Sequence, residues 1–227
     1  MAAKPKPKAP PALEVYDCDQ RSDAWRIARL GRVTCSVLKT VMASGKDGDD
    51  STGRTTLMRK LAGEILTGIP MESYTSKEME LGKEHEPEIR DWYARTQFAE
   101  VREVGFVWNP EVQAGCSPDG LIDDDGMIEI KWATPHVMIG ILEKGVLPTG
   151  HRAQCHGGLW VCRRKWIDLV IYSHPKIPKF KVRIERDPVY EQQIAQAVAT
   201  FNYELKCLVA KYRGERVPAA AELEIPL

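Results

Sequence analysis

Much of what this chain lacks narrows what it can be. It has no run of about 18 consecutive apolar residues, so no segment reads as a membrane-spanning helix. Met1 to Pro11 alternates Lys, Pro and Ala with no apolar segment among them. That pattern excludes a secretory signal and predicts a disordered leader over residues 1–12. The six cysteines, Cys18, Cys35, Cys116, Cys155, Cys162 and Cys207, include no Cys-x-x-Cys pair. Zinc-ribbon and iron–sulfur spacings are therefore absent. Without a signal peptide, reduced thiols in a cytoplasmic protein are expected. Charge of one sign is not in excess either, with 32 Lys and Arg against 32 Asp and Glu. A nucleic-acid-binding domain is usually basic, so neutrality weighs mildly against one, although the local field decides binding at a groove. There is no internal repeat and no linker after the leader, which predicts one domain over residues 13–227.

The patterning that is present alternates helices and strands. Ser22 caps a predicted helix to Arg29, with Gly31 ending it. Thr34 or Ser36 is placed to cap a second helix over Val37 to Met42. Ser44 to Gly53 reads as a charged loop. Leu57, Leu61 and Ile65 lie on one face of a helix over Arg54 to Leu66, with Gly68 at its C-terminal turn. Lys77 to Phe98 reads as a helix interrupted by Pro87. Val101 to Trp108 reads as a strand, and Ala114 to Ile122 with Met127 to Trp132 as a hairpin about Asp-Asp-Asp-Gly. Helices over His136–Glu143 and His151–Val161, strands over Trp166–Tyr172 and Phe180–Arg186, and a closing helix over Val189–Tyr212 complete the chain. The order predicts an α/β fold with a central mixed β-sheet flanked by helices.

Chemistry concentrates in two short segments, Ser117-Pro118-Asp119-Gly120 and Glu129-Ile130-Lys131. Strand alternation puts Glu129 and Lys131 on one face, about 7 Å apart, while Ile128 and Ile130 point into the core. Taken alone, this is also how an edge-strand ion pair looks, and Pro-Asp-Gly alone is a β-turn. Together they bring Asp119 beside Glu129, and a cation relieves the repulsion between the two carboxylates. Oxygen ligands suit Mg²⁺, with Mn²⁺ as a substitute. The Ile130 carbonyl offers a further ligand. Glu86 falls on the core-facing side of its helix, either as a fourth member of this group or as an i,i+4 surface pair with Arg90. Phosphodiester hydrolysis uses such a set: Asp119, Glu129 and Glu86 for the metal, and Lys131 to orient the attacking water and stabilise developing charge.

At these residues the sequence resembles the PD-(D/E)xK nucleases, and within them the phage lambda exonuclease or YqaJ-type viral recombinase family. The resemblance runs from about Asp23 to Tyr212. It is carried in order by Asp23-Ala24-Trp25, Arg29-Leu30-Gly31, Thr34-x-Ser36, Leu81-Gly82-Lys83 with Glu86, Ala114 to Gly120, Glu129-x-Lys131, Gln154 and Trp160-Val161. It implies a restriction-endonuclease-like core and a Mg²⁺-dependent 5′→3′ exonuclease acting on the ends of linear double-stranded DNA. Such an enzyme releases 5′-mononucleotides and leaves a 3′ single strand. A ring-shaped homotrimer, a single-strand annealing protein as partner, and the cytoplasm of a bacterial or phage-infected cell come with it. Arg29 and Ser36 would grip the terminal 5′-phosphate; without the resemblance they read as a helix-end cation and an N-cap. Gln154 and Arg152 are further candidate DNA or active-site contacts. Two positions depart from the family. His156 stands where a second Gln is common, to contact DNA or to pack near Trp160. Asn109 stands where the lambda enzyme has an aspartate, and an amide brings no charge to a metal.

Several other residues carry two readings. Arg163, Arg164 and Lys165 could track phosphates or form a solvated basic loop, and Lys46 and Arg54 bracket the charged loop. Met42, Met79 and Leu81 could wedge a terminal base pair or pack in the core. Gly157-Gly158 within a helix signals close backbone approach, to the sheet or to DNA. The six tryptophans read as core or rim aromatics. A sequence-specific or repair endonuclease of the same fold, and a non-catalytic DNA-end-binding module, are the competing functions.

Overall fold

The computed structural model describes residues 10–45, 51–71, 77–217 and 219, with the side chains of residues 77–79, 81 and 83 left out. Nearly all of the leader, Lys46, the side chains of Met79 and Leu81, and most of the tail lie outside the described residues. In order, the elements are β1 (Glu14–Tyr16), α1 (Asp23–Arg29), a 3₁₀ turn (Cys35–Val37), α2 (Leu38–Val41), α3 (Thr52–Thr67) and α4 (Lys77–Gln97). Then come β2 (Val101–Arg102), β3 (Phe106–Asn109), β4 (Ala114–Cys116), β5 (Gly120–Ile122), β6 (Gly126–Trp132) and α5 (Pro135–Lys144). The chain closes with α6 (Thr149–Cys162), β7 (Trp166–Tyr172), β8 (Phe180–Glu185) and α7 (Pro188–Arg213).

A five-stranded sheet runs β2-β5-β6-β7-β8, and a three-stranded sheet runs β1-β3-β4. The larger sheet is mixed: β6 and β7 are parallel and its other pairs antiparallel. The α/β class with a central mixed sheet is as the sequence implies. One face of β6 and β7 carries Met127, Ile167, Leu169 and Ile171, in the core built by α2, α3, α6 and α7. The other face carries Ile128, Ile130 and Val170, covered by Ile89 and Tyr93 of α4. Among the described residues no helix is long and apolar enough to cross a membrane. All six cysteines are free thiols.

Four local expectations are corrected, each by tertiary context. Helix α4 is continuous through Pro87, because Ile89 and Tyr93 are buried against the sheet on one side of the proline and the Tyr172 hydroxyl donates to the Gly82 carbonyl on the other. The segment Val101 to Trp108 is two strands in different sheets. The turn between them brings Gly105 against the first strand: its N–H donates to the Tyr16 carbonyl, and an added Cβ would sit 2.2 Å from the Cys18 carbonyl oxygen. The segment Ala114 to Ile122 breaks at Ser117-Pro118-Asp119, where the Ser117 hydroxyl and the Pro118 and Asp119 carbonyls accept from side chains outside the sheet. The second helix begins as a 3₁₀ turn with no side-chain cap, since the Thr34 hydroxyl is bonded to Arg29 and Ser36 instead. Strand β1 carries no pattern long enough to be read from sequence.

The Gly157-Gly158 pair serves packing. A Cβ on Gly157 would lie 2.1 Å from Leu38 Cδ1, and one on Gly158 3.3 Å from Met127 Cε. Helix α6 is thereby pressed between α2 and the sheet, which sets the height of Gln154 above β6.

Candidate active site

Glu129 and Lys131 leave β6 on one face, as alternation requires, and the Lys131 ammonium is bonded to the Glu129 carboxylate. Glu129 is 3% exposed. Its Oε1 also accepts a hydrogen bond from Gln154 Nε2 of α6, at 2.5 Å. Asp119 lies in the break between β4 and β5, where its Oδ2 accepts the Ile130 N–H at 2.6 Å. The strand break lets Asp119 reach back across the sheet to the backbone between Glu129 and Lys131.

Burial pushes the Asp119 carboxyl well above the ordinary range, and repulsion from Glu129 and Glu86 adds to this. Burial likewise pushes Glu129 up, against the pull of Lys131. The two carboxylates in turn hold the Lys131 ammonium above its ordinary value. Buried anions in excess of their cation form a site that favours a further positive charge. A carboxylate whose folded pKa is raised stabilises the fold most below its unfolded pKa, and loses that contribution as pH rises through the folded value. The protein without metal is therefore expected to lose thermal stability as pH rises above the ordinary carboxylate range. A divalent cation held by these carboxylates in place of the proton would raise the unfolding midpoint most where they are ionised. Scanning calorimetry across pH, with and without metal, checks this; a metal-independent profile would contradict it.

The connecting tripeptide is held from several directions. Ser117 Oγ accepts from Arg29 Nη1 at 2.8 Å and from Trp25 Nε1 at 2.9 Å. The Pro118 carbonyl accepts from Gln20 Nε2 at 2.9 Å and the Asp119 carbonyl from Arg90 Nε at 2.7 Å. Glu86 of α4 is bonded to Arg90 at 2.8 Å and to Arg21 at 3.5 Å. The i,i+4 pair of Glu86 with Arg90 is present, and Arg90 links it to the Asp119 carbonyl.

Two residues away from Asp119 is a second, cationic pocket. The Arg29 guanidinium stacks on the Trp25 ring with its carbon 4.2 Å from the centroid, and its Nη2 lies 3.3 Å from Thr34 Oγ1. Ser36 Oγ lies 3.2 Å from Thr34 Oγ1. Among the described residues no carboxylate is within ion-pair distance of Arg29, and desolvation lowers its pKa below the usual arginine value. A desolvated guanidinium surrounded by hydroxyls suits a phosphate group. With both acceptor positions of Ser117 filled by Trp25 and Arg29, its O–H proton is available to a ligand.

A family model described as the YqaJ-like viral recombinase domain matches residues 24–165. The chain belongs to this family. Its fold is similar to the crystal structure of an alkaline exonuclease from Laribacter hongkongensis, with 30% identity, a TM-score of 0.76, and 85% of this chain and 97% of that one covered. The same exonuclease in complex with dAMP matches with a TM-score of 0.77 over the same shares. A phage-related exonuclease from Haemophilus somnus 129PT shares the fold at 15% identity, with a TM-score of 0.62 over 80% of this chain and 96% of that one. Comparison with curated protein sequences finds no match.

The family's matched span contains every residue of the two pockets except Gln20 and Arg21. Other sequence candidates lie apart from both pockets. Asn109 is buried, donating to the Val161 carbonyl and accepting from the Glu111 N–H. His156 is buried edge-on to Tyr190, with ring centroids 5.3 Å apart; burial lowers its pKa. Arg152 lies over Tyr190 and pairs with Asp187 at 3.2 Å. Arg54 is buried against Glu204 of α7. Arg163 and Lys165 pair with Glu111 and Asp125, and Arg164 donates to the Asp123 carbonyl. Met42 packs against the main core. Sequence reading gave no role to Gln20 or His151, read Thr34 as a possible helix cap and Arg90 as a surface partner of Glu86, and singled out Ser117 without its partners. His151 precedes Gln154 by one helical turn on α6; burial, with Lys131 and Lys39 nearby, pushes its pKa down to about 4.

Proposed function

We propose that this protein is a metal-dependent exonuclease that digests one strand of linear double-stranded DNA. It works 5′→3′ from a 5′-phosphorylated end, releases 5′-mononucleotides and leaves a 3′ single strand for annealing. The observation that carries this reading is the tripeptide Ser117-Pro118-Asp119, which joins the Arg29 pocket to the Glu129–Lys131 pair. A phosphate held at Arg29 and Ser117 would put nearby backbone phosphates of the same strand at the carboxylates. Family membership and the likeness to an alkaline exonuclease support the same reading.

The donor set suits Mg²⁺. Two buried carboxylates, Asp119 and Glu129, would hold it with the Ile130 carbonyl, and Glu86 would reach it directly or through water. Among the described residues no group of three or more His, Cys, Asp or Glu side chains is placed to hold a metal ion by itself. An ion that keeps several waters needs none, whereas a structural zinc would. When bound, the metal supplies a more acidic water and charge relief on the phosphate oxygens. Lys131 orients the attacking water and stabilises charge on the phosphate, and Gln154 fixes the Glu129 carboxylate. Arg29, Ser36, Thr34 and Ser117 hold the terminal phosphate. A homotrimer around the duplex and a single-strand annealing partner belong to the same reading, as does a cytoplasmic site of action.

Incubation with Mg²⁺ and equal amounts of linear and covalently closed circular duplex tests it. Linear DNA should vanish while circles persist. Cutting of both would favour an endonuclease, and cutting of neither a binding module.

A further inference from the structure

Glu86 and Asp119 reach the site from different elements, α4 and the β4–β5 connection, and one side chain spans them. Arg90 is 9% exposed. Its Nε donates to the Asp119 main-chain carbonyl at 2.7 Å, its Nη2 to Glu86 Oε1 at 2.8 Å, and its Nη1 to Glu103 Oε2 at 2.7 Å. Each nitrogen of the guanidinium thus has its own acceptor. The Ile130 N–H holds the other end of Asp119 through its carboxylate. Residue 119 is therefore fixed between α4 and β6.

We propose that Arg90 is a positioning residue for the divalent cation: it sets the separation of Glu86 from Asp119 and thereby the affinity of the site. The inference rests on the metal-nuclease reading above. Three features separate this role from a surface ion pair. The Arg90 and Glu86 side chains are 11% and 17% exposed, so the pair is largely shielded from water. Arg90, Glu86, Glu103 and Asp119 also border a polar cavity of about 440 Å³. Close packing does not fix Glu86 on that side, which leaves its hydrogen bonds to do so. Finally, the three acceptors are met by three different nitrogens of one planar fork. Lysine keeps the charge, but its three N–H donors sit on a single nitrogen that cannot stand at all three places, so the exchange changes geometry more than electrostatics.

The test is Mn²⁺ binding to the full chain by titration calorimetry, beside Mg²⁺-dependent hydrolysis. Arg90→Lys should fold with an unchanged circular dichroism spectrum and bind Mn²⁺ about tenfold more weakly, the usual scale for groups that orient metal ligands. Hydrolysis should recover most of its rate at saturating metal, with KM for DNA unchanged. A folded Arg90→Lys protein with the parent Mn²⁺ affinity overturns the proposal. Should Arg90→Lys fail to fold, Glu86→Gln is compared with Glu86→Gln/Arg90→Gln, which removes both buried charges together. The double variant should bind Mn²⁺ several-fold more weakly than the single one, because the Asp119 carbonyl has lost its donor; equal affinities overturn the proposal. A parent chain that binds no Mn²⁺ overturns the metal reading itself, whereas a parent that binds it beside an unaffected variant overturns the role of Arg90 alone.

Discussion

Replacing Lys131 by alanine should lower hydrolysis of linear duplex by about 10³-fold, the range that a proton-handling group or a single charge-stabilising donor contributes. Lys131 is the cation bonded to Glu129, and it stands one residue before the end of β6 with part of its side chain reaching solvent. Its loss removes the positive charge next to the position proposed for the scissile phosphate. The fold should survive. The core on either side of β6 is built by Met127, Ile128 and Ile130. Glu129 keeps its bond from Gln154 and, already raised by burial, is free to take up a proton. Single-turnover rates at saturating Mg²⁺, with circular dichroism as the control for folding, measure the effect. Undiminished hydrolysis would remove Lys131 from the site.

The second large effect is expected at Arg29. Arg29→Ala should cost about 10–100-fold on a 5′-phosphorylated end, from the loss of hydrogen bonds to a charged group, and little on a 5′-hydroxyl end. The preference for phosphate should therefore collapse. Arg29→Lys should restore only part of it. The guanidinium is stacked on Trp25 while it reaches Ser117 and Thr34 together, and an ammonium cannot reproduce that geometry. Comparing rates on the two kinds of end for each variant separates this from general weakening. An Arg29→Ala protein that keeps the full preference would place end recognition elsewhere.

The legible parts of the site were those written in strand periodicity. Alternation alone puts Glu129 and Lys131 on one face and Ile128 and Ile130 on the other, and the structure keeps that division. The Ser22 cap of α1 and the left-handed Gly68 at the end of α3 are equally local, and both are present. What escaped was set by contacts distant in sequence. Pro87 signals a break when read alone, but α4 runs through it because Ile89 and Tyr93 are buried on β6. Ser117 stands in the motif with no visible partner until Arg29 and Trp25, from α1, are seen to bond it. Arg90 reads as half of a surface pair, since nothing in the local pattern says that the Asp119 carbonyl lies within its reach. Basic residues misled for a similar reason. Arg54 and Arg163 look available to DNA in the sequence, but they are matched by Glu204 and Glu111 in the fold.

The central claim is that the Arg29 pocket and the carboxylate cluster act on the same strand of a DNA end. A linear duplex carrying a phosphate at only one of its two 5′ ends, with the strands distinguishably labelled, tests it most directly. With Mg²⁺ present, the phosphorylated strand should be lost from its 5′ end as mononucleotides while its complement stays intact. Equal loss of both strands, or degradation beginning at 3′ ends, would contradict the account.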